Sequence, residues 1–250
     1  MIYIALSSDG NVGKTTLARF VLKPHLPASR LVEVEQVGVE DPNAERSLVI
    51  RDAAEGGRPA LTAVLLASLQ GNLIVDVGAS LCDAVIDLLA DAHARLTETP
   101  LTIVTPVVLS GADNRKSLAH LAKIAGALDA LELGKLRRVL VANRVTHSDA
   151  AIAAFKELAR WAGDRGFSLC QTLVPDAAVF GRGATDGYDL KALAATDTGK
   201  LEQAAAKYLD AGDFAKLTET GARLTAILEA QRLAPLLERL AREIAGAQGG

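Results

Sequence analysis

Little in this sequence points to a metal cage, a nucleic-acid surface or a membrane span. Two of the 250 residues are cysteine, Cys82 and Cys170. Both lie in apolar surroundings at no metal-ligand spacing, which makes them small buried hydrophobes rather than ligands. Charge of one sign is also lacking: the formal net charge is −3, which argues against an overall electrostatic footprint for nucleic acid and leaves room only for a local basic patch. Arg115 with Lys116 and Arg137 with Arg138 are the compact basic pairs, and a solvated face is their default role. No long hydrophobic run occurs. The first one, "MIYIAL", is too short to span a bilayer and has no basic segment before it, so a soluble cytoplasmic protein is expected. There is no internal repeat and no low-complexity stretch. What is present is core-forming material: 50% apolar residues, 23% charged residues and a mean hydropathy of +0.22. That suffices for a sizeable buried core and excludes disorder over most of the length.

The apolar material alternates in kind. Strand-like runs rich in Val, Ile and Thr occupy 2–7, 30–36, 72–78, 101–107, 137–145 and 167–175. Helical stretches lie between them at 14–23, 59–70, 80–96, 113–132 and 148–164. Strands recurring with helices between them predict a doubly wound, mainly parallel sheet with helices on both faces. Ligands of such sheets bind beyond the carboxyl ends of the strands. After residue 200 the pattern is helical alone. The expected organisation is therefore a nucleotide-binding domain over 1–200, a helical extension over 201–246 packed on it or on a partner, and a frayed tail over 247–250. In that extension Leu233, Leu236, Leu237, Leu240 and Ile244 form one apolar stripe, with Arg239, Arg242 and Glu243 away from it. Its flanks are not strongly basic and its apolar face carries no bulky aromatic, so packing is expected rather than docking on a membrane.

The stretch "SSDGNVGKTT", Ser7 to Thr16, stands where the first strand gives way to the first helix. A Gly-Lys-Thr triplet gains meaning from that position: small residues let the chain wrap close to a phosphate, and the amides of Gly10, Asn11, Val12, Gly13, Lys14, Thr15 and Thr16 can turn inward at the start of a helix dipole. Lys14 would then pair with β- and γ-phosphate oxygens, and the Thr15 hydroxyl would hold Mg²⁺. The ordinary pattern G-x-x-x-x-G-K-[ST] wants glycine where this chain has Ser8.

The loop resembles the deviant version found in the ParA/MinD group of partition and positioning ATPases, K-G-G-x-G-K-[ST], and departs from it at Asp9 and Asn11. The resemblance continues in order along residues 1–195. "NLIVDVGAS" is similar to the family's second carboxylate strand, which implies Asp76 as a water-mediated partner of Mg²⁺. "VTPVVLSGADNRKSLAHL" resembles its strand-to-helix passage. "VLVANRV" resembles the strand ending in Asn, which implies Asn143 at the base, and "TLVPDAAVFGRGATDGYDL" the closing segment, which implies Pro175 and Asp176 beside the adenine. Closest among the group are the plasmid stability proteins called StbB, whose loops also read "GNVGKTT". By position Glu35 corresponds to the family residue that orients attacking water or Mg²⁺. The resemblance thus implies an ATP- or ADP-binding, Mg²⁺-dependent switch in plasmid stability, partition or positioning. It also implies a homodimer that forms with nucleotide, and a protein partner in a partition or conjugation system.

Plainer roles compete for several of these residues. Asp76 can cap the next helix, Asn143 can be a turn former, and Glu33 and Glu35, which share a strand face, can simply be solvated. Asp9 bears on mechanism most. The family's lysine there reaches the phosphate of the partner subunit, which an aspartate cannot do, so slow hydrolysis is expected unless a cation such as Arg182 compensates. Ligases of the dethiobiotin synthetase type share the aspartate in T-D-T-x-V-G-K-T, but they present a lysine after the second strand where this chain has "VEVEQVGVED". A nucleotide-bound adaptor without turnover is the remaining alternative.

Overall fold

The computed structural model describes residues 1–35, 47–49, 58–67, 71–109, 114–131, 133–145, 149–180 and 189–246. Its centre is the first apolar run. Strand β1 (Ile2–Ala5) is buried at every position, as expected for a strand covered on both faces. It is flanked by β4 (Leu73–Val77) and β5 (Leu101–Val108). Outward lie β2 (Arg30–Glu35), β3 (Ser47–Val49), β6 (Leu136–Val145) and β7 (Ser168–Leu169), in the order β3-β2-β4-β1-β5-β6-β7. A last short strand, β8 (Val174–Pro175), pairs with β6. Every pairing among these strands is parallel, and the doubly wound fold expected from the alternation is the one found.

Helices connect the strands. α1 covers residues 14–25, α2 Arg58–Ala67, α3 Cys82–Asp91, α4 His93–Leu96, α5 Asn114–Asp129 and α6 Asp149–Asp164. Two departures from the expected elements have local causes. The run 167–175 is split into β7 and β8 because Thr172 gives both its N–H and its hydroxyl to the Glu243 carboxylate, at 3.1 and 2.6 Å, instead of to a neighbouring strand. The middle of α1, Leu17–Leu22, is wound as a π-helix, with the Lys23 N–H bonded to the Ala18 carbonyl. Pro24 follows at once and has no N–H to give. Its ring would press on the carbonyl one α-turn back, and the wider winding relieves that crowding. The three-residue β3 had no strand signature in the sequence.

By contacts the chain divides into two units, Met1–Asp176 with Leu240–Gly250, and Ala177–Arg239. The first holds the sheet. Its C-terminal residues are fastened there by the Thr172–Glu243 bonds and by Arg137, whose Nη1 donates to the Ala245 carbonyl at 3.0 Å. Arg138 is ion-paired with Asp129 and lies over the Phe167 ring. The pair 137–138 therefore serves packing rather than a solvated basic face, whereas the side chains of Arg115 and Lys116 lie outside the described residues. The second unit is helical: α7 (Leu190–Ala194), α8 (Gly199–Asp210) and the greater part of α9 (Phe214–Ala245). Within it the Val179 N–H donates to Glu229 Oε2 at 2.9 Å. Of the apolar stripe, Leu233, Leu237, Leu240 and Ile244 are buried and Leu236 is half-buried. The tail 247–250 lies outside the described residues. Both cysteines are free and buried. Burial, then the Asp83 carboxylate, pushes the Cys82 thiol up to about 11. Burial, then Glu243, pushes Cys170 up to about 12, so neither is a thiolate at neutral pH. Among the described residues no helix is long and apolar enough to cross a membrane.

Candidate phosphate-binding site

The carboxyl ends of β1, β4, β5, β6 and β8 face the same edge of the sheet. The chain leaves β1 toward β2 and leaves β5 toward β6, in opposite directions, so the crevice between β1 and β5 is a topological switch point, the usual place for a ligand on such a sheet. The loop 6–13 springs from β1 at that point.

Its backbone is shaped by two left-handed residues, Asn11 at φ +58° and Gly13 at φ +97°. Left-handed residues alternating with right-handed ones turn successive N–H groups to one side, the geometry of an anion nest. Asparagine is among the non-glycine residues that best tolerate that region. Gly13 is the N-cap of α1, so the nest opens directly onto a helix start. Around Gly10 nothing would meet an added Cβ within 4 Å, which leaves that side of the loop open for a ligand to approach.

The loop is held at several points. The Asp9 N–H donates to Ser7 Oγ at 3.1 Å. Lys14, only 8% exposed, folds back so that its ammonium donates to the Asp9 carbonyl at 2.9 Å. From the far side Asn143 Nδ2 donates to the Val12 carbonyl at 2.6 Å. Asn143 is aimed there by an irregularity at the end of β6: Arg144 takes φ +52° and the pairing with β8 shifts between Asn143 and Val145, as a β-bulge re-aims a side chain beside a site. Val145 pairs with Pro175, which brings Asn143, half-buried Pro175 and exposed Asp176 to neighbouring strand ends.

Asp76 is buried in β4 beside Ala5 of β1 and Glu33 of β2. Glu33 is not solvated. It receives Arg19 of α1 through two bonds, Nε to Oε1 and Nη2 to Oε2, the latter 2.7 Å. Arg19 is a site-supporting residue that the loop pattern does not reveal, although a single cation amid "LARFVL" opposite a strand carboxylate is the signal that could have found it. Glu35 ends β2, its side chain outside the described residues, as is Arg182. Thr15 stands on the first turn of α1. Its hydroxyl and the Asp76 carboxylate are the hard oxygen donors that Mg²⁺ takes, in the small number usual when phosphates complete the shell. Among the described residues no cluster of three or more His, Cys, Asp or Glu could hold a metal by itself.

No protein-family model matches this sequence, and no curated protein matches it either. Solved structures do. Apo McdA from Cyanothece is 14% identical, covering 93% of this chain and 98% of its own, with a TM-score of 0.55. An ATP complex of a McdA variant is 14% identical over 77% of this chain and 89% of its own, at 0.51. A plasmid partition protein from Borrelia burgdorferi B31 bound to AMPPNP is 13% identical over 93% of this chain and 98% of its own, at 0.51. At such identities the likeness is one of fold alone: a doubly wound parallel sheet with helices on both faces, shared with McdA and with that partition protein.

Proposed function

We propose that this chain is a Mg-nucleotide-binding switch protein of the ParA/MinD type, close to the StbB plasmid stability proteins, acting in plasmid stability, partition or positioning. The observation that carries the reading is the loop itself: a nest closed by Gly13 at φ +97° on a helix start, with buried Lys14 folded across it. ATP or ADP would place its phosphates there. Lys14, Thr15 and Asp76 would hold the phosphate and Mg²⁺ end, and Mg²⁺ would neutralise oxygens of the β- and γ-phosphates. Asn143 seats the loop and, with Pro175 and Asp176, borders the base side. Glu35 is the candidate for orienting water. The protein works in the cytoplasm, dimerises with triphosphate, and answers to a protein partner of a partition or conjugation system.

Binding is tested on Lys14. Because its ammonium and the loop amides supply most of the phosphate interaction, Lys14→Ala is expected to weaken Mg·ATP affinity at least tenfold, about 1.4 kcal/mol. Unchanged affinity in calorimetry would overturn the phosphate-loop reading.

Turnover is tested on Asp9. An aspartate at the place of a lysine that serves the partner's phosphate acts as a brake, and hydrolysis is slow. Asp9→Lys is therefore expected to raise phosphate release or triphosphate-dependent dimerisation, read by a release assay and by light scattering with ATP, ADP and a non-hydrolysable analogue. A fall in both would show that Asp9 serves the reaction instead. Absence of phosphate release from parent and Asp9→Lys alike would favour the adaptor without turnover.

A further inference from the structure

Ser8, where the ordinary loop pattern has glycine, and Asp9, where the deviant pattern has lysine, both stand near one residue that neither pattern includes. Ser8 Oγ lies 2.9 Å from Nδ1 of His120 on α5, a part-buried bond between residues 112 apart in sequence. His120 and Asp9 line the same small hollow, with Ser7 and Val12 of the loop and Ser117 of α5. Its volume is about 10 Å³, the size of one water position. The hollow lies at the β1–β5 switch point, so the helix that follows β5 is hydrogen-bonded to the stem of the phosphate loop at the place where the loop must hold still to receive an anion.

We propose that His120 is a positioning residue for the phosphate loop, and that it is the cation recruited near Asp9 when polyphosphate binds. The proposal rests on the nucleotide-binding reading above. The Ser8–His120 bond suits this double role because it survives protonation by reversing polarity. In the neutral ring with its proton on Nε2, the Ser8 hydroxyl donates to Nδ1. In the imidazolium, Nδ1–H donates to Ser8 Oγ, the proton having come from solvent. Among the residues that line the hollow, Asp9 is the carboxylate. The Lys14 ammonium is bonded to the Asp9 carbonyl. Lys123, farther along α5, is ion-paired with Asp83 at 2.7 Å. The β5 residues lining the hollow, Pro106, Val107 and Val108, carry no charge. A polyanion in the loop adds negative charge near an imidazole that shares its hollow with Asp9. Binding therefore favours the imidazolium, and by linkage a proton is taken up as the polyanion binds.

The experiment is calorimetry of Mg·ATP binding to the full chain at several pH values, each in two buffers of different ionisation enthalpy, for the parent, Ser8→Gly, His120→Ala and His120→Asn. Asparagine can place an amide near the position of Nδ1 and keep a bond to Ser8 without titrating. Ser8→Gly and His120→Ala are expected to weaken binding about threefold to tenfold. His120→Asn, which keeps a bond to Ser8, should bind Mg·ATP more tightly than His120→Ala. The parent should take up more protons on binding than either His120 variant across the pH series. Equal affinity and equal proton uptake for all four proteins would overturn the proposal. So would weaker binding with unchanged uptake, which is what a purely structural contact produces. Should His120→Ala fail to fold, Ser8→Gly and His120→Asn carry the same test. A parent that binds no Mg·ATP overturns the phosphate-loop reading and this one together, whereas binding that is abolished by Lys14→Ala yet indifferent to Ser8 and His120 overturns this one alone.

Discussion

Arg19→Met is expected to lower the folding stability by about 3–5 kcal/mol, the usual cost of removing one partner of a buried ion pair. The pair it breaks has side chains only 12% and 10% exposed. Glu33, left behind in β2, would lose the guanidinium that it is paired with. Asp76 makes matters worse, because Glu33 and Asp76 are register partners in adjacent parallel strands and so lie on the same sheet face. The double change Arg19→Met with Glu33→Leu removes both charges and is expected to recover most of the loss. Chemical denaturation of the parent, the single and the double variants checks this. A single-variant loss below about 1 kcal/mol would place the pair with exposed ion pairs, which contribute little. The pair also bears on the site. Arg19 stands one helical turn beyond Thr15, so the salt bridge pins the helix whose first turn forms the end of the phosphate loop.

The sheet was legible in the sequence because its strands are buried on both faces and therefore read as continuous Val/Ile-rich runs, and because the helices between them are long enough to show their period. Ile2–Ala5 and Leu101–Val108 are clear cases. β3 was not legible, since three residues cannot establish a period. The split of 167–175 was not legible for a different reason: the group that draws Thr172 out of the ladder is Glu243, 71 residues away. In the loop, the residues with special backbone geometry could be named from sequence, because Gly13 and Asn11 announce it chemically. The tethers could not. Nothing near Ser8 shows that a histidine 112 residues later will meet it, nothing near Val12 shows that Asn143 will, and Glu33 reads as a solvated strand residue until Arg19 is placed above it. Local conformation is written locally, whereas the contacts that make this loop rigid come from α5, β6 and β2, which only the fold brings together.

That division matters for how the loop works. A nest of amides binds an anion well only when its geometry is already set, because ordering it on binding would cost conformational entropy. Here the stem is tied at Ser8, the middle at Val12 and the far end through Arg19, while the open side at Gly10 is left free of side-chain contacts within 4 Å of a would-be Cβ. The same ties join α5 and the end of β6 to the loop, and β2 to the helix that follows it.

Gly13→Ala is expected to be the most damaging small substitution in the loop, lowering stability by about 2–5 kcal/mol and removing measurable Mg·ATP binding. Two costs combine. The backbone at φ +97° is one that L side chains avoid, at about 1–2 kcal/mol. The added Cβ would lie 1.9 Å from Asn143 Nδ2 and 3.1 Å from its Cγ, so Asn143 must swing away. Its bond to the Val12 carbonyl is then lost in a buried setting, at about 1–3 kcal/mol. The loop would lose its left-handed turn and its tether at once. The two costs separate in a second background. In Asn143→Ala the obstacle is gone and the Val12 bond is already broken, so adding Gly13→Ala should cost only the backbone strain, and the two substitutions should be less than additive by roughly the value of the hydrogen bond, about 1–3 kcal/mol. Denaturation of the four proteins of this cycle, with calorimetry of Mg·ATP on each, measures the coupling. Strict additivity would mean that Asn143 and Gly13 do not meet as described and that the Asn143 side chain is free to act elsewhere, whereas the expected shortfall would establish the end of β6 as the back wall of the phosphate loop.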